Sequence, residues 1–290
     1  MTQSIGVIGL GVMGSAMAAN LLKAGFTVEG YDIAPKARAA LKRIGGRPVA
    51  SISRIKAPVV ITSLPSAQAL HDVVAAFKTR CIVLETSTLP IEEKERARAS
   101  LARKGITLLD CPLSGTGAQA RAKDLVVFAS GERGAFRKAA PFLPGFSRAH
   151  YYLGAFGNGS RMKFVANLLV AIHNVSTAEA FVLGMKAGLD PRTIYEVMAN
   201  SAGASRMLQV RGPQMVANRY DEATISVRLF QKDMKIIGEF AQALGVPTPL
   251  FNAAAPLYNA AMAQGLSQAD TASVCAVLER MAGIRRSTMR

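Results

Sequence analysis

The sequence predicts an α/β protein: a doubly wound parallel sheet followed by an all-α domain, with a long helix shared by the two. Three observations predict this class. Strand patterns alternate with helical patterns up to about residue 153, a Gly-Asn-Gly run then precedes an unusually long helical pattern, and strand signals stop beyond it. We therefore expect one domain at residues 1–157 and a second at residues 158–290.

The alternating part has short apolar runs typical of buried parallel strands. They lie at residues 4–9, 26–31, 59–63, 81–84, 106–109, 125–129 and 149–153. Helical patterns at residues 67–77 and 91–104 lie between them, so right-handed crossovers between parallel strands are expected. Ligands of such sheets bind beyond the carboxyl ends of the strands.

A glycine-rich turn joins the first strand to the first helix. Its spacing is Gly-x-Gly-x-x-Gly, and the next strand ends at Asp32. The first glycine permits a tight turn, the second lets the backbone approach a pyrophosphate, and the third lets helix and strand pack closely. In this setting the pattern predicts a Rossmann-type dinucleotide-binding domain whose phosphate turn is Gly9, Leu10, Gly11, Val12, Met13 and Gly14.

Asp32 indicates which dinucleotide is bound. A carboxylate at this place accepts hydrogen bonds from the adenosine ribose hydroxyls and repels a 2′-phosphate, which favours NAD over NADP. Lys36 and Arg38 follow closely and weaken that preference.

Three loops at the predicted carboxyl edge are candidates for ligand contact. Leu64 and Pro65 follow one strand, with Gln68 in the helix after them, and Thr88 follows the next. Ordinary turn chemistry is the alternative for both loops. The third loop contains a serine among small residues, and its backbone N–H groups can bind an anion such as a substrate carboxylate. Its candidate residues are Ser114, Gly115 and Thr116.

The long helical pattern begins at Asn158 or Ser160, either of which can act as an N-cap, and ends at Gly188. Its length of about 25–28 residues corresponds to about 40 Å. Lys163 and Asn167 are four residues apart and project from one face near its N-terminal end. Taken alone, they also fit a snorkelling lysine and a solvated asparagine.

The remaining helical patterns lie at residues 191–199, 205–215, 229–244, 249–264 and 270–281. The third of them carries Lys232, Asp233 and Lys235 beside an apolar face. A solvated face with Asp233 paired locally is the alternative to a functional role. Some apolar surface of this half can lie between subunits.

Composition limits the function classes. The sequence has no signal-peptide pattern and no apolar run that approaches the roughly 20 residues of a membrane span, and its three cysteines have no metal-ligand spacing. We expect reduced thiols, a cytoplasmic location and no metal site. The net charge of +16 suggests nucleic acid, but the basic residues, Lys94 among them, are scattered along predicted helices without interleaved aromatics. We interpret most of this charge as solvated helix faces that also attract small anions, so nucleic acid and membranes are not expected partners.

The motifs GLGVMG, LPS, ETST, CPLSGTG, GNGSRMKFVAN and LFQKDMK together resemble the β-hydroxyacid dehydrogenase family over nearly the whole chain. The resemblance implies a Rossmann-type domain with an all-α domain, in homodimers or homotetramers. It implies that Lys163 is the catalytic acid/base, that Asn167 lies beside it at the substrate, that Ser114 belongs to the substrate-carboxylate loop, and that Thr88 and Lys232 lie near the nicotinamide.

The implied reaction is reversible oxidation of a short β-hydroxy acid, in which NAD takes the hydride and Lys163 the hydroxyl proton. Lys163 can do so only if burial or nearby cations lower its pKa, as a cleft between domains and a helix N-terminus would. Thr116 replaces a family glycine, which leaves the acid open: 3-hydroxyisobutyrate, glycerate or tartronate semialdehyde, and threonate are candidates. The alternatives are an imine-reducing relative, which generally lacks this lysine, and a non-catalytic dinucleotide-binding sensor or nucleic-acid-associated protein.

Overall fold

The computed structural model describes residues 3–286; Met1, Thr2 and residues 287–290, with the basic Arg290, lie outside the described residues. The chain divides into two compact units, Met1–Lys163 and Phe164–Arg290, which we call the N-terminal and C-terminal units. The division falls inside the long helix, six residues beyond the predicted domain boundary, which stays a prediction.

A parallel sheet forms the centre of the N-terminal unit. Its strands are β1 (Ser4–Ile8), β2 (Thr27–Tyr31), β3 (Arg47–Pro48), β4 (Val59–Thr62), β5 (Ile82–Glu85) and β6 (Thr107–Asp110). They lie in the order β3-β2-β1-β4-β5-β6, and every neighbouring pair is parallel. This is the strand order of the Rossmann fold, so the predicted fold class is confirmed.

Helices cover both faces of this sheet: α1 (Val12–Lys23), α2 (Pro35–Arg43), α3 (Ala67–Ala76) and α4 (Ile91–Ala102). Alternate residues of a strand point to opposite faces. Val7 accordingly packs in the core that contains Met17 of α1, while Ile8 packs in the core that contains Leu70 of α3. The apolar runs recognised in the sequence are therefore strands buried on both sides.

The last two predicted strands do not extend this sheet, so that part of the prediction is wrong. They form a separate three-stranded sheet made of β7 (Leu113–Ser114), β8 (Val126–Ala129) and β9 (Ala149–Tyr152). β8 runs antiparallel to β7 and contacts β6 through an isolated antiparallel bridge between Asp110 and Ser130. A strand in that direction cannot continue the parallel ladder. The short helices α5 (Gly117–Arg121) and α6 (Arg133–Ala139) complete this region.

The long helix is α7 (Asn158–Lys186), with 29 residues. Neither Asn158 nor Ser160 acts as its N-cap, contrary to the prediction. Asn158 Nδ2 donates to the Leu153 carbonyl, and the Ser160 N–H donates to a carboxylate oxygen of Asp110 at 2.7 Å. The cap is therefore a residue 50 positions earlier in the chain, which a local pattern cannot reveal.

By length and composition, α7 could cross a membrane, so the expectation that no segment approaches that limit is wrong. Its most apolar 18-residue window has a mean hydropathy of 1.5. The core helix of a water-soluble protein passes the same test, so length and composition alone do not identify a membrane span. Asn174 Nδ2 of α7 donates to the Tyr258 hydroxyl and the Thr271 carbonyl.

Within the described residues, the C-terminal unit continues with helices and has one isolated β-bridge, between Ser226 and Asp270. The helices are α8 (Pro191–Met198), α9 (Arg206–Ala217), α10 (Val227–Ala243), α11 (Pro249–Ala263) and α12 (Val274–Met281), the last preceded by a 3-10 turn at Thr271–Ser273. Side-chain caps from Asp190, Ser205 and Ser226 begin three of these helices. The predicted all-α half is confirmed within the described residues.

Candidate active site

The loops predicted to contact ligands lie together at one edge of the parallel sheet. The strands β1, β2, β4, β5 and β6 all run in the same direction. The glycine turn, Asp32, the Leu64 loop, the Thr88 loop and the segment that leads to Ser114 follow these strands. They therefore share the carboxyl edge, where sheets of this kind bind ligands.

The glycine turn divides into two packing glycines and one open glycine. Gly9 has φ +86°, and a Cβ there would lie 2.1 Å from the Ser63 carbonyl oxygen; a Cβ on Gly14 would lie 1.8 Å from the Gly9 carbonyl oxygen. A Cβ on Gly11 would meet nothing within 4 Å in the described structure. The packing of β1 on α1 thus requires Gly9 and Gly14, whereas Gly11 faces open space.

The N-terminus of α1 fits a dinucleotide phosphate. Val12 and Gly11 are exposed, and in the described structure the first turn has neither a side-chain cap nor an acidic residue. The N–H groups of the first turn and the positive end of the helix dipole therefore attract an anion. Met13 is half-buried and packs against the core below.

Asp32 lies at the end of β2 with both carboxylate oxygens partly engaged. The N–H groups of Leu10 and Ala34 donate to Oδ2 and Oδ1 at 2.7 and 2.8 Å. A carboxylate accepts about four hydrogen bonds, so Asp32 has capacity left for hydroxyl donors. The Arg38 guanidinium instead donates to the main-chain carbonyls of Asp32 and Ile33.

The two neighbouring loops are held to each other. The Leu64 N–H donates to Ser87 Oγ at 2.8 Å, and the Ser87 N–H donates to Glu85 Oε1 at 2.9 Å. Glu85 is fully buried, and burial raises its pKa although Lys94 and Ser87 oppose the shift. These contacts fix the loop that carries Thr88. Further along, Pro65 and Gln68 are exposed, and the Gln68 amide donates to Asp72.

The Ser114 loop turns sharply at Gly115, which has φ +131° and would clash with Leu125 if it carried a Cβ. Thr116 forms a capping box with Gln119 at the start of α5. In that box the Thr116 N–H donates to Gln119 Oε1 at 3.0 Å. A substrate carboxylate would have to compete with Gln119 Oε1 for the Thr116 N–H. Ser114 Oγ and the Gly115 N–H do not take part in the capping box.

Lys163 lies in the second turn of α7 and is 8% exposed. The residue is therefore buried, unlike a lysine on a solvated helix face. Asn167, one turn further along the same helix, is 5% exposed. The alternative of a solvated asparagine is excluded by this burial.

In the C-terminal unit, Asp233 of α10 contacts two of the predicted site residues, Asn167 and Lys232. Asn167 Nδ2 donates to Asp233 Oδ2 at 3.0 Å, and Lys232 Nζ lies 3.2 Å from Asp233 Oδ1. Asp233 is 6% exposed. The sequence analysis left open whether Asp233 is a locally paired residue on a solvated face or has a functional role. The local pair with Lys232 is present, but Asp233 is buried and bound to Asn167, which makes it a functional candidate that was not among the predicted site residues. Its neighbour Lys232 in the same motif was the available signal.

Within residues 3–286, no group of three or more His, Cys, Asp or Glu side chains could hold a metal ion. The cysteines are free thiols. Burial raises the pKa of Cys81 to about 11, so this thiol is protonated and weakly nucleophilic at neutral pH.

Two family profiles match the chain consecutively. The NAD-binding domain of 6-phosphogluconate dehydrogenase matches residues 4–154, and the NAD-binding profile of NADP-dependent 3-hydroxyisobutyrate dehydrogenase matches residues 157–278. L-threonate dehydrogenase of Cupriavidus necator is 33% identical over 94% of this chain and 95% of its own. The chain belongs to the β-hydroxyacid dehydrogenase family. The 3-hydroxyisobutyrate dehydrogenase of Pseudomonas aeruginosa is 35% identical over 85% of this chain and 88% of its own.

Solved structures agree with this assignment. A 3-hydroxyisobutyrate dehydrogenase from Salmonella typhimurium superposes with a TM-score of 0.86 at 28% identity, over 95% of this chain and 99% of its own. An imine reductase from Streptomyces aurantiacus, at 22% identity and a TM-score of 0.63 over 95% of this chain and 99% of its own, shares the fold alone.

The β-hydroxyacid dehydrogenase is therefore an oxidoreductase that uses a nicotinamide dinucleotide and transfers a hydride. The predictions of family, enzyme class and dinucleotide cofactor are confirmed. The individual roles assigned to the site residues stay predictions.

Proposed function

We propose that this enzyme catalyses the reversible oxidation of a short β-hydroxy acid with NAD as the preferred cofactor and Lys163 as general acid/base. The observation that carries the proposal is the burial of Lys163 in the second turn of α7, in a chain whose glycine turn fits a dinucleotide. A buried lysine can exchange a proton with a bound group without competition from bulk water.

Lys163 accepts the hydroxyl proton in the oxidation and, as an ammonium, polarises the carbonyl and returns the proton in the reverse reaction. Asn167 is on the same face of the helix, four residues on. Because its amide nitrogen donates to Asp233, the amide oxygen is the atom left to accept from a substrate hydroxyl. Asp233 thereby fixes which way the amide points. The nicotinamide dinucleotide supplies the ring that accepts the hydride.

Ser114 and the Gly115 N–H hold the substrate carboxylate, which fixes the carbon that is oxidised. Thr116 forms its capping box with Gln119 beside these groups. The net charge of +16 attracts anionic substrates and cofactor in general. These features support a small hydroxy acid. Threonate and 3-hydroxyisobutyrate, the acids in the names of two relatives, are the first to test.

The proposed preference for NAD rests on Asp32. Its remaining acceptor capacity suits two ribose hydroxyls, and its charge opposes a 2′-phosphate. Of the two nearby cations, Lys36 and Arg38, Arg38 has one guanidinium nitrogen engaged by two main-chain carbonyls. An Asp32→Ser variant should lose affinity for NADH and gain affinity for NADPH, because the repulsion is removed.

We further propose a homodimer or homotetramer in the cytoplasm. Several apolar side chains of the C-terminal unit are exposed, among them Leu183, Leu250 and Leu244. Apolar surface of this kind is buried in oligomers of soluble enzymes. Light scattering of the purified protein tests the number of subunits.

A panel of short β-hydroxy acids, each assayed with NAD and NADP in parallel at the absorbance of the reduced cofactor, tests the function. We expect turnover with at least one acid and a higher kcat/KM with NAD. Absence of turnover with every acid in both directions, together with salt-sensitive DNA binding, would instead support a non-catalytic binder.

A further inference from the structure

Three charged side chains are completely buried at the carboxyl end of the parallel sheet. They are Glu85 at the end of β5, Lys94 in α4 and Asp110 at the end of β6. Lys94 Nζ lies 2.9 Å from Asp110 Oδ1. The sequence analysis grouped Lys94 with basic residues that were interpreted mostly as solvated, and Lys94 is an exception because it is buried. Burying such charges is costly, and a buried ion pair is weak grounds for stability alone.

Asp110 uses its carboxylate to hold the beginning of α7. Oδ1 accepts from Lys94 Nζ and from Ser160 Oγ at 2.8 Å, while Oδ2 accepts from the Ser160 N–H at 2.7 Å and from Ser130 Oγ at 3.3 Å. The Gly159 N–H in turn donates to Ser130 Oγ at 2.9 Å. Two of the N–H groups that every helix leaves without intrahelical partners are thus satisfied by this network.

The first turn of α7 is also fixed by close packing. A Cβ on Gly159 would lie 2.3 Å from the Phe128 carbonyl oxygen and 2.7 Å from that of Asp110. The helix therefore starts in direct backbone contact with β6 and β8. Its rotation and its position along its own axis are both determined there.

Lys163 follows Ser160 by three residues, close to one helical turn. A shift of the helix start is therefore passed directly to the Lys163 side chain. Catalytic groups have to be held within about 0.5 Å, and a misplacement of 1 Å can cost about 100-fold in rate.

We propose that Asp110, neutralised by Lys94, is the positioning residue for Lys163 and acts through Ser160 and Ser130. The proposal rests on the function proposed for Lys163. It gives the buried lysine a role as well: without its charge, the carboxylate that caps α7 would be an uncompensated buried anion.

Lys94 connects the same network to the loop of Thr88. Its charge also acts on Glu85, whose carboxylate accepts the Ser87 N–H. One buried ammonium thus stabilises the carboxylate that caps α7 and the carboxylate that fixes the neighbouring loop.

The test compares Ser160→Ala with Ser147→Ala. Both remove a buried hydroxyl of the N-terminal unit, but Ser147 donates to the Leu143 carbonyl, away from α7. We expect kcat of Ser160→Ala to fall about 10- to 100-fold, with the dissociation constant for NADH unchanged within about twofold. Ser147→Ala should keep the wild-type kcat. If Ser160→Ala does not fold, Ser130→Ala, which removes the acceptor of the Gly159 N–H, should lower kcat in the same selective way.

A second measurement separates positioning from general structural damage. In a Lys163→Ala background, Ser160→Ala should cause no further loss of the residual rate, because its effect passes through Lys163. An equal additional loss in that background, or the same kcat for Ser160→Ala and Ser147→Ala, would overturn the proposal. Near-normal turnover of Lys163→Ala would instead overturn the proposed function itself.

Discussion

Substitution of Gly11 by alanine tests the assignment of the glycine turn as the phosphate site. Gly11 has φ −67° and ψ −161°, which alanine adopts without strain, and in the described structure its Cβ would meet nothing within 4 Å. The free energy of unfolding should therefore change by less than about 1 kcal/mol. A bound pyrophosphate, however, has to approach this backbone, and the methyl group displaces it. Loss of one charge-assisted hydrogen bond, about 1.5–3 kcal/mol, weakens binding about 10- to 150-fold.

The assay is calorimetric titration of NADH together with thermal unfolding. Gly14→Ala is the matched control, because its Cβ would lie 1.8 Å from the Gly9 carbonyl oxygen; that variant should lose stability as well as affinity. Wild-type affinity for NADH in a folded Gly11→Ala protein would refute the assignment of the phosphate site.

Three further predictions concern stability and the substrate loop. Burial alone would raise the pKa of Asp270, but Arg211 and several N–H and O–H donors outweigh burial and hold this pKa below its usual value. The ionised Asp270 therefore stabilises the folded protein above about pH 4, and this contribution is lost as the pH falls through the pKa of Asp270 in the folded state. Asp270→Asn should therefore lower the free energy of unfolding by about 3–5 kcal/mol at pH 7 and make Tm less dependent on pH below about pH 4. A variant whose Tm falls at acid pH as steeply as that of the wild type would contradict this. Lys123 has φ +60°, so Lys123→Gly should raise the free energy of unfolding, measured in urea, by about 0.5–1 kcal/mol. Asn218 also has a positive φ, but asparagine tolerates this conformation, so Asn218→Gly should change that free energy by less than about 0.5 kcal/mol. Equal effects of the two substitutions would contradict backbone strain at Lys123. Gly115→Ala should lower kcat/KM for the hydroxy acid at least about 10-fold with unchanged NADH affinity, and a normal kcat/KM would remove the loop from substrate binding.

The features that the sequence predicted correctly depend on local patterns. The strands around the glycine turn are continuous apolar runs, and the glycines have a spacing that only a strand-turn-helix unit explains. The helix α7 was recognisable because its apolar residues recur over many turns without a break. These signals involve residues that are close together in the chain, so they can be recognised without knowing the fold.

The features that it missed depend on residues far apart in the chain. Lys94 lies on the same face of α4 as the buried Ile91 and Leu101, but only the fold places Asp110 against it. The cap of α7 was missed because it comes from Asp110, which lies 50 residues before Ser160 in the chain. Asp233 is 66 residues from Asn167, and its motif fits a solvated face equally well. The second sheet was missed because an apolar run predicts a strand but does not show which way that strand runs in the sheet.

The most direct test of the account is single-turnover hydride transfer by Lys163→Ala, measured with NAD and the best acid from the panel. We predict a rate about 10²–10⁴-fold below wild type, the usual contribution of acid/base catalysis, with NADH binding unchanged. Lys186→Ala, which removes an exposed lysine at the other end of α7, should react at the wild-type rate. A Lys163→Ala enzyme that transfers hydride as fast as wild type would contradict the assignment of this lysine as the acid/base.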